Sequence, residues 1–140
     1  MVGIGICYDM RFPELALLMR HHRDASILIY PGAFNTVTGE KHWELLARAR
    51  AVDTQSFVLA ASPARSSDEV TTGYKAWGHT TAVDPWGRVV ATTGHVPATV
   101  VATLDLTQIQ EVRAGIPVST QRRSDVHQLS DKTGAAASKI

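Results

Sequence analysis

The sequence predicts an α/β fold with a mixed sheet, because short apolar runs alternate with helical patterns along the chain. Residues 2–7 and 26–31 are uncharged and mostly apolar, and a helix-like segment separates them. This order is that of a βαβ unit, whose strands are parallel and whose crossover is right-handed. A third apolar run at 57–61 follows a second helical pattern, and two later runs flank a turn. The later pair predicts an antiparallel hairpin beside the parallel strands.

Length, charge and cysteine content exclude several classes of protein. The 140 residues suit one domain, and a hydrophobic fraction of 44% with a charged fraction of 19% is typical of a globular chain. A net charge of +1 provides no basic field, so no nucleic-acid partner is expected. No apolar run approaches the ~20 residues of a bilayer span, so no membrane partner is expected. The single cysteine favours a reducing compartment, and the predicted location is the cytoplasm, with mitochondria as the alternative.

The first helix is predicted to begin at Pro13, because proline suits the first helical position. Glu14 follows in the first turn, where a negative charge is favourable. The helix is apolar over a wide face and is expected to pack closely against a neighbour. It ends in His21, His22 and Arg23, whose positive or protonatable groups suit a helix C-terminus.

A second helix is predicted over about 39–54, with Thr38 as its N-cap. Four side chains are expected to mark its buried side: Trp43, Leu46, Ala47 and Ala51. Residues 32–38 are predicted to be a loop that leaves the second strand. Residues 62–77 form a long polar stretch, and loops of that length are often functional or mobile.

A β-hairpin is predicted where HTTAV (79–83) and RVVATT (88–93) flank DPWG (84–87). Proline at the second turn position and glycine at the fourth favour a type I turn. A further strand is predicted over about 98–104, which is apolar and rich in β-branched residues.

The end of the chain is predicted to hold one short helix and a disordered tail. Asp105 and Gln108 have the spacing of a capping box, and the helix is expected to run to about Arg113. Gly115 follows and is expected to stop the helix. Residues 127–140 are mostly small or polar and are predicted to be disordered.

Cys7, the only cysteine, lies at the end of the first apolar run, and two interpretations follow from that position. A lone cysteine at the end of a buried strand is usually a small core residue. The alternative is a nucleophile, because a strand that feeds a tight turn into a helix exposes its last side chain at the sheet edge. The backbone N–H after such a residue can stabilise an oxyanion. The residues alone leave both interpretations open.

Other chemistries lack the residues that they need. A dithiol redox role requires a second cysteine, and no Cys/His spacing in the sequence suits zinc. No glycine-rich phosphate loop is present in the sequence, so neither a metal nor an organic cofactor is predicted. An amidase also needs a base beside its thiol. His42, Glu44 and His79 are candidates by type, and each is interpreted as structural in preference to catalytic.

Five blocks occur in order along residues 2–126: GICYDMRFPEL, YPGAFNTVTGEKHWELLARARAVDTQ, ASPAR, AWGHTTAVDPWG and IPVSTQRRSDV. In this order they closely resemble the nitrilase superfamily of carbon–nitrogen hydrolases. The superfamily motif C-x-D-x-R-F-P-E matches the residues from Cys7 to Glu14. The variants GAFN (32–35), SPAR (62–65) and AWGHTT (76–81) look like those of omega-amidases rather than of the amidase of deaminated glutathione.

The resemblance implies a four-layer αββα sandwich, of which this chain is expected to supply about half. Residues 1–126 are interpreted as the C-terminal portion of the hydrolase domain, with the N-terminal half missing. Relatives pair their subunits through helices of this portion, so a homodimer or a higher oligomer is expected.

The resemblance also implies a Glu–Lys–Cys triad in which Cys7 is the nucleophile. Tyr8 would donate its backbone N–H to the oxyanion, and Ala33 and Phe34 would line the substrate pocket. The implied reaction is hydrolysis of the terminal amide of a dicarboxylic acid monoamide, such as 2-oxoglutaramate, through a Cys7 thioester. A small-molecule amide is therefore the expected binding partner, and no cofactor is needed.

Arg11 belongs to the same motif, and it is expected to form an ion pair with Asp9 or Glu14. The alternative is a contact with the substrate, because the expected substrates carry a carboxylate that an arginine can hold.

The implied triad is incomplete in this chain. In the family the Glu and the Lys precede the cysteine by long stretches, whereas only six residues precede Cys7 here. The chain alone is therefore expected to be inactive. One alternative hypothesis is a truncated, non-catalytic protein that only folds, dimerises or binds, and a weaker one is redox sensing by Cys7.

Overall fold

The computed structural model describes residues 1–66 and 73–133, which form a mixed five-stranded sheet with helices. The strands lie in the order β1 (Val2–Ile4), β2 (Ile27–Pro31), β3 (Phe57–Ala61), β4 (Thr81–Val83) and β5 (Val89–Thr92). Strands β1, β2 and β3 are parallel, whereas β4 is antiparallel to both β3 and β5. The predicted α/β class, the mixed sheet and the hairpin are therefore confirmed.

The helices of the described residues are α1 (Pro13–Arg23), α2 (Thr36–Thr38), α3 (Glu44–Thr54) and α4 (Thr107–Gly115). A 3₁₀ turn spans Cys7–Arg11, and a π-helical turn, Gly39–Trp43, joins α2 to α3. Helix α1 begins at Pro13 as predicted, and it ends where Asp24 adopts a left-handed backbone conformation.

The predicted N-cap of the second helical segment was wrong. Asn35 is the N-cap, and its Oδ1 accepts hydrogen bonds from the Thr38 N–H at 2.8 Å and the Thr38 hydroxyl at 3.0 Å. Asparagine caps well because its short side chain reaches the backbone N–H of the third helical residue. Thr38 occupies that third position and therefore donates the hydrogen bond that it was expected to accept.

The first strand is shorter than the predicted 2–7. The Gly5 N–H still donates to the Ile29 carbonyl at 3.0 Å, but strand β1 ends at Ile4. Cys7 then opens the 3₁₀ turn with a φ of 50°. The apolar run therefore continues beyond the ladder into the turn that carries the cysteine.

The strand predicted over 98–104 does not belong to the described sheet. Val101 is 90% exposed, whereas Ala102 and Leu104 are half-buried. These two residues line a cavity together with Leu59 and Ala82 of the sheet. The segment thus lies over the face of the sheet instead of at its edge, where it would have a hydrogen-bonding partner.

The predicted capping box of α4 does not form. The Asp105 carboxylate accepts from the Thr107 N–H at 3.0 Å and from the Thr107 hydroxyl at 2.7 Å. Gln108 donates only its backbone N–H to the Asp105 carbonyl, and its side-chain oxygen is buried without a partner among the described residues. Helix α4 runs to Gly115, two residues beyond the predicted end.

One face of the sheet is buried by α1 and α3. Four fully buried residues of β2 and β3 form the centre of this core: Leu28, Tyr30, Val58 and Ala60. Trp43, Ala47 and Ala51 pack in the same cluster and Leu46 is half-buried against it, so the predicted buried side of the second helix is confirmed.

The other face of the sheet is apolar and partly exposed. Val2, Ile4 and Ile6 expose 49%, 64% and 66% of their surface. Ile4 lies in register with Ile29, which pairs in turn with Leu59, so an apolar row crosses the sheet. We call these five residues the open face. In a sandwich of two sheets such a face is covered, so the described sheet has the form of one half of an αββα sandwich.

Some predictions fall partly or wholly outside the described residues. Residues 67–72 of the long loop and 134–140 of the tail lie outside them. Within 127–133, Asp131 pairs with Arg23 at 2.5 Å. The boundary after residue 126 and the disorder of the tail stay predictions. No helix in the described part of the chain is long and apolar enough to span a membrane.

Candidate active site

Cys7 lies just past the carboxyl end of β1, and its backbone is held in a left-handed conformation with a φ of 50°. For a residue with a Cβ this conformation costs roughly 1–3 kcal/mol and usually needs support from its surroundings. Part of that support is Gly32, the first residue after β2. A Cβ at Gly32 would lie only 2.8 Å from the Cys7 Cα, so only glycine allows this close approach. The half-buried Cys7 thiol is thus placed at the sheet edge, as in a nucleophile elbow.

Asp9 fixes the turn that carries Cys7. Its Oδ2 accepts from the Ile6 N–H at 2.8 Å, and the Asp9 N–H donates to the Ile6 carbonyl at 3.0 Å. These two bonds close the first turn on both sides of the cysteine. The first N–H groups of a helical turn have no acceptor inside the turn, and here those groups belong to Cys7 and Tyr8.

The Arg11 guanidinium forms the polar centre of the site. Its Cζ lies 4.5 Å from the ring centroid of Phe34 and 5.1 Å from that of Tyr8. Its Nη1 lies 3.1 Å from His42 Nδ1, so the imidazole accepts from the guanidinium in the tautomer that leaves Nδ1 unprotonated. The expected ion pair with Asp9 or Glu14 was wrong, because no described carboxylate lies within ion-pair distance of Arg11.

Phe34 and Ala33 extend from the end of β2 beside Cys7. Phe34 is 4% exposed and packs edge-on against Trp43, with ring centroids 5.1 Å apart. Its ring therefore supports Arg11 from within the core. Ala33 is half-buried, and its carbonyl accepts a hydrogen bond from the Tyr74 hydroxyl.

Tyr8 presents its side chain to solvent. The ring is 64% exposed and contacts Phe12 at a centroid distance of 5.9 Å. Of the predicted site residues, the structure places Tyr8 and Phe34 against Arg11. Cys7 begins the same 3₁₀ turn and lies against Gly32, which Ala33 follows in the chain. The roles assigned to them stay predictions.

All three candidate bases are engaged with groups other than the Cys7 thiol. His42 is engaged with Arg11, and Glu44, which is exposed, lies 3.7 Å from Arg48. His79 stacks on Trp77 at 4.4 Å, and burial together with nearby His95 and Arg65 lowers its pKa. Among the described residues, none donates to or accepts from the Cys7 thiol.

Sequence reasoning missed the roles of Gly32 and of His42 as the partner of Arg11. The position of Gly32 directly after a buried strand could have indicated its role, because a close approach of two backbones often requires a glycine. No local signal marks the second contact, since Arg11 and His42 are 31 residues apart.

The family assignment follows from comparison with known proteins. The carbon–nitrogen hydrolase family model matches residues 1–114. The chain belongs to the carbon–nitrogen hydrolase family. It is 52% identical over 130 residues to the chloroplastic omega-amidase of Arabidopsis thaliana, covering 93% of this chain and 34% of that protein. It is 51% identical over 131 residues to human omega-amidase NIT2, covering 94% of this chain and 46% of that protein.

Solved structures of the family show the same architecture. Saccharomyces cerevisiae Nit3, of branch 10 of the nitrilase superfamily, aligns with a TM-score of 0.79 and 50% identity over 87% of this chain and 44% of its own. The Caenorhabditis elegans NitFhit protein aligns with a TM-score of 0.84 and 40% identity over 95% of this chain and 32% of its own. The chain thus spans less than half the length of these relatives, and the nitrilase-type fold is confirmed.

Proposed function

We propose that this chain supplies the nucleophile of an omega-amidase, which hydrolyses the terminal amide of a dicarboxylic acid monoamide such as 2-oxoglutaramate. The observation that carries the proposal is the identity of 51–52% over about 130 residues to two proteins named omega-amidase, from a plant and from human. The position of Cys7 at the end of β1 supports the same chemistry.

The proposed reaction uses Cys7 in two steps. The thiolate attacks the amide carbon, and the C–N bond breaks as the leaving nitrogen takes a proton and departs as ammonia. Water then adds to the thioester carbonyl, the C–S bond breaks, and the carboxylic acid and the thiol are released. During both steps the oxyanion would accept hydrogen bonds from backbone N–H groups such as that of Tyr8.

We propose that Arg11 binds the distal carboxylate of the substrate. Its guanidinium has no carboxylate partner in the described residues, and its Nε is buried without an acceptor. Stacking against the Tyr8 and Phe34 rings holds the Arg11 guanidinium in place. Arg11 follows Cys7 by four residues in the chain. Arginine is well suited to such a role because its planar fork matches a carboxylate.

The 140-residue chain by itself is proposed to be inactive as an amidase. The resemblance implies that a Glu base and a Lys come from sequence before the cysteine, and the described candidate bases do not contact Cys7. Complementation tests this proposal: the N-terminal part of the Arabidopsis omega-amidase is joined ahead of residue 2. The chimera is expected to release ammonia from 2-oxoglutaramate, whereas the chain alone is not.

Cys7→Ala is the matched variant of that chimera. Loss of a nucleophile removes most of the chemical rate, on the order of several powers of ten. A folded chimera that retains a rate within about tenfold of the parent after this change would contradict the nucleophile assignment. A folded but inactive parent chimera would favour the alternative, a non-catalytic chain that folds, dimerises or binds.

Two further expectations remain proposals. A homodimer or a higher oligomer is what the resemblance implies, and the apolar open face would be a surface on which chains associate. A cytoplasmic location follows from the single free cysteine, although the Arabidopsis relative is named as chloroplastic.

A further inference from the structure

A surface pocket remote from Cys7 lies between the end of α1 and residues 119–129. Its volume is about 390 Å³. Its lining includes the cationic or protonatable groups of Arg122, His21, His22 and His127 and the hydroxyl groups of Ser119 and Ser124. No aspartate or glutamate lines this pocket within the described residues. We call it the basic pocket.

Arg122 is the arginine of the basic pocket, and two histidines of the pocket, His127 and His22, lie within electrostatic range of Asp125 and Asp131. Arg122 forms no ion pair within the described part of the chain. The neighbouring Arg123 differs, because its guanidinium donates to both carboxylate oxygens of Asp125 at 2.7 and 2.6 Å. Arg122 therefore contributes a cation to the pocket that no described carboxylate pairs with.

Two more arginines lie within electrostatic range of His21 and share one carboxylate. Arg20 and Arg113 approach the same Asp24 oxygen at 2.9 and 3.7 Å. The Nε atoms of both arginines and Nη2 of Arg113 are buried without an acceptor in the described residues. Buried donors normally have partners, so this group of cations lacks acceptor atoms as well as negative charge.

His21 is close to these arginines, and their charges contribute to the shift of its pKa. Burial, followed by the charges of Arg122, Arg20, His22 and Arg113, lowers its pKa to about 4. His21 and Arg122 also line a second groove with Arg50 and Asp53 of α3, which pair with each other. The α3 pair thus brings no unpaired charge to His21. At neutral pH the His21 imidazole is uncharged while the pocket is empty.

We propose that the basic pocket binds a tetrahedral oxyanion, namely inorganic phosphate or the phosphate group of a small ester. Arg122 would supply the main charge, and the Ser119 and Ser124 hydroxyls would donate hydrogen bonds from other directions. Donors spread around a centre suit a phosphate better than a carboxylate, because phosphate has acceptor oxygens on all sides. The inference does not depend on the proposed amidase activity.

Calorimetric titration of inorganic phosphate and of glycerol phosphate into the 140-residue chain tests the proposal, with chloride holding the ionic strength constant. Saturable binding of phosphate is expected, and Arg122→Gln should weaken it by about tenfold or more. Arg123→Gln is the matched control, because it removes the same charge at the adjacent residue. It should change the phosphate affinity by less than about twofold. Stronger binding of the ester than of the free ion would identify the ester as the preferred source.

Sulfate provides a second readout, because its charge does not change over the range in which histidine titrates. A bound anion favours protonated His21, so its NMR-detected pKa should rise by about one unit or more in saturating sulfate. Sulfate affinity should rise correspondingly as the pH falls, and His21→Gln should reduce this dependence. The proposal would be overturned if phosphate binding is not saturable, or if the Arg122 and Arg123 variants lose the same phosphate affinity. It would also be overturned if sulfate leaves the pKa of His21 unchanged.

Discussion

Cys7 and Gly32 form the most tightly constrained contact of the candidate site. The cysteine adopts a left-handed backbone, and the glycine leaves the space into which that backbone fits. Neither feature depends on the chemistry of the thiol. Together they show that the backbone of Cys7, which carries the thiol, is positioned by its close approach to Gly32.

Gly32→Ala is expected to displace Cys7. The added Cβ would lie 2.8 Å from the Cys7 Cα, which is closer than real Cβ contacts allow, so one backbone must shift. In the active chimera the rate should fall by about a hundredfold, because a displacement near 1 Å at a reacting group has effects of that size. Gly94→Ala is the control, since a Cβ there would meet nothing within 4 Å. Equal rates for the two variants would show that Gly32 does not position the cysteine.

At the scale of elements, the second helical segment connects the site to the core. Its π-helical turn ends at Trp43, whose ring packs against Phe34 and whose Nε1 donates to the His79 carbonyl at 2.6 Å. His42 of the same turn accepts from Arg11. This π-helical turn therefore supports the Phe34 ring, on which Arg11 stacks, and also the Arg11 guanidinium itself. Single π-helical turns within α-helices occur frequently at functional sites.

Trp43→Ala should lower the free energy of unfolding by roughly 3–5 kcal/mol, the usual range for removal of a buried aromatic side chain. Trp43 is 1% exposed, so the change leaves a cavity, and the His79 carbonyl keeps only its hydrogen bond from the Thr81 hydroxyl. Leu45→Ala in the adjacent helix is the control, because Leu45 is 62% exposed. The denaturant midpoint is the measurement, and an unchanged midpoint for the tryptophan variant would place its ring in solvent.

The chain should become less stable in acid because of His21, which lies in helix α1. Its pKa falls from 6.5 in the reference state to about 4 in the fold, with burial as the first cause. Between these two values the unfolded chain binds more protons than the folded chain, so stability falls as the pH is lowered through that window. Thermal unfolding in chloride buffer should show the fall, and His21→Gln should flatten it. An equally steep pH dependence in the variant would assign the effect to another group.

At the scale of the molecule, the chain presents an apolar surface as well as a core. The open face exposes Val2 and Ile4 of β1 and Ile6 just beyond it, and the outer edge of β1 is unpaired in the described residues. Exposed apolar faces and free strand edges both promote association. The same surface is where a second sheet packs in a sandwich.

The 140-residue chain should therefore self-associate, and it should not hydrolyse 2-oxoglutaramate. Light scattering is expected to give a mass of two chains or more, and Ile4→Lys should lower it because a charge then lies on the open face. Val126→Lys is the control, since Val126 is 69% exposed and lies in the segment beside the end of α1, away from that face. A monodisperse, active monomer would contradict both expectations. It would also mean that residues after Cys7 have replaced the implied Glu and Lys.

The sequence by itself determined the βαβ order, the start of α1 at Pro13 and the buried side of α3. It also determined the family, because the motif blocks are runs of neighbouring residues. The order of elements, the helix start and the buried side depend on periodicity, turn residues and local composition, which are read from short stretches of the chain, whereas the family rests on the resemblance of the motif blocks.

Only the tertiary structure decided how the site is assembled. The 98–104 segment has the composition of a strand, yet it lies over the sheet because pairing depends on which neighbour is available. Arg11 was expected to pair with a nearby acid and instead contacts His42 and Phe34, which come from later elements. Gly32 meets Cys7 because β1 and β2 are adjacent in the sheet. Such contacts join residues that are distant in sequence, and no local preference encodes which of them come together.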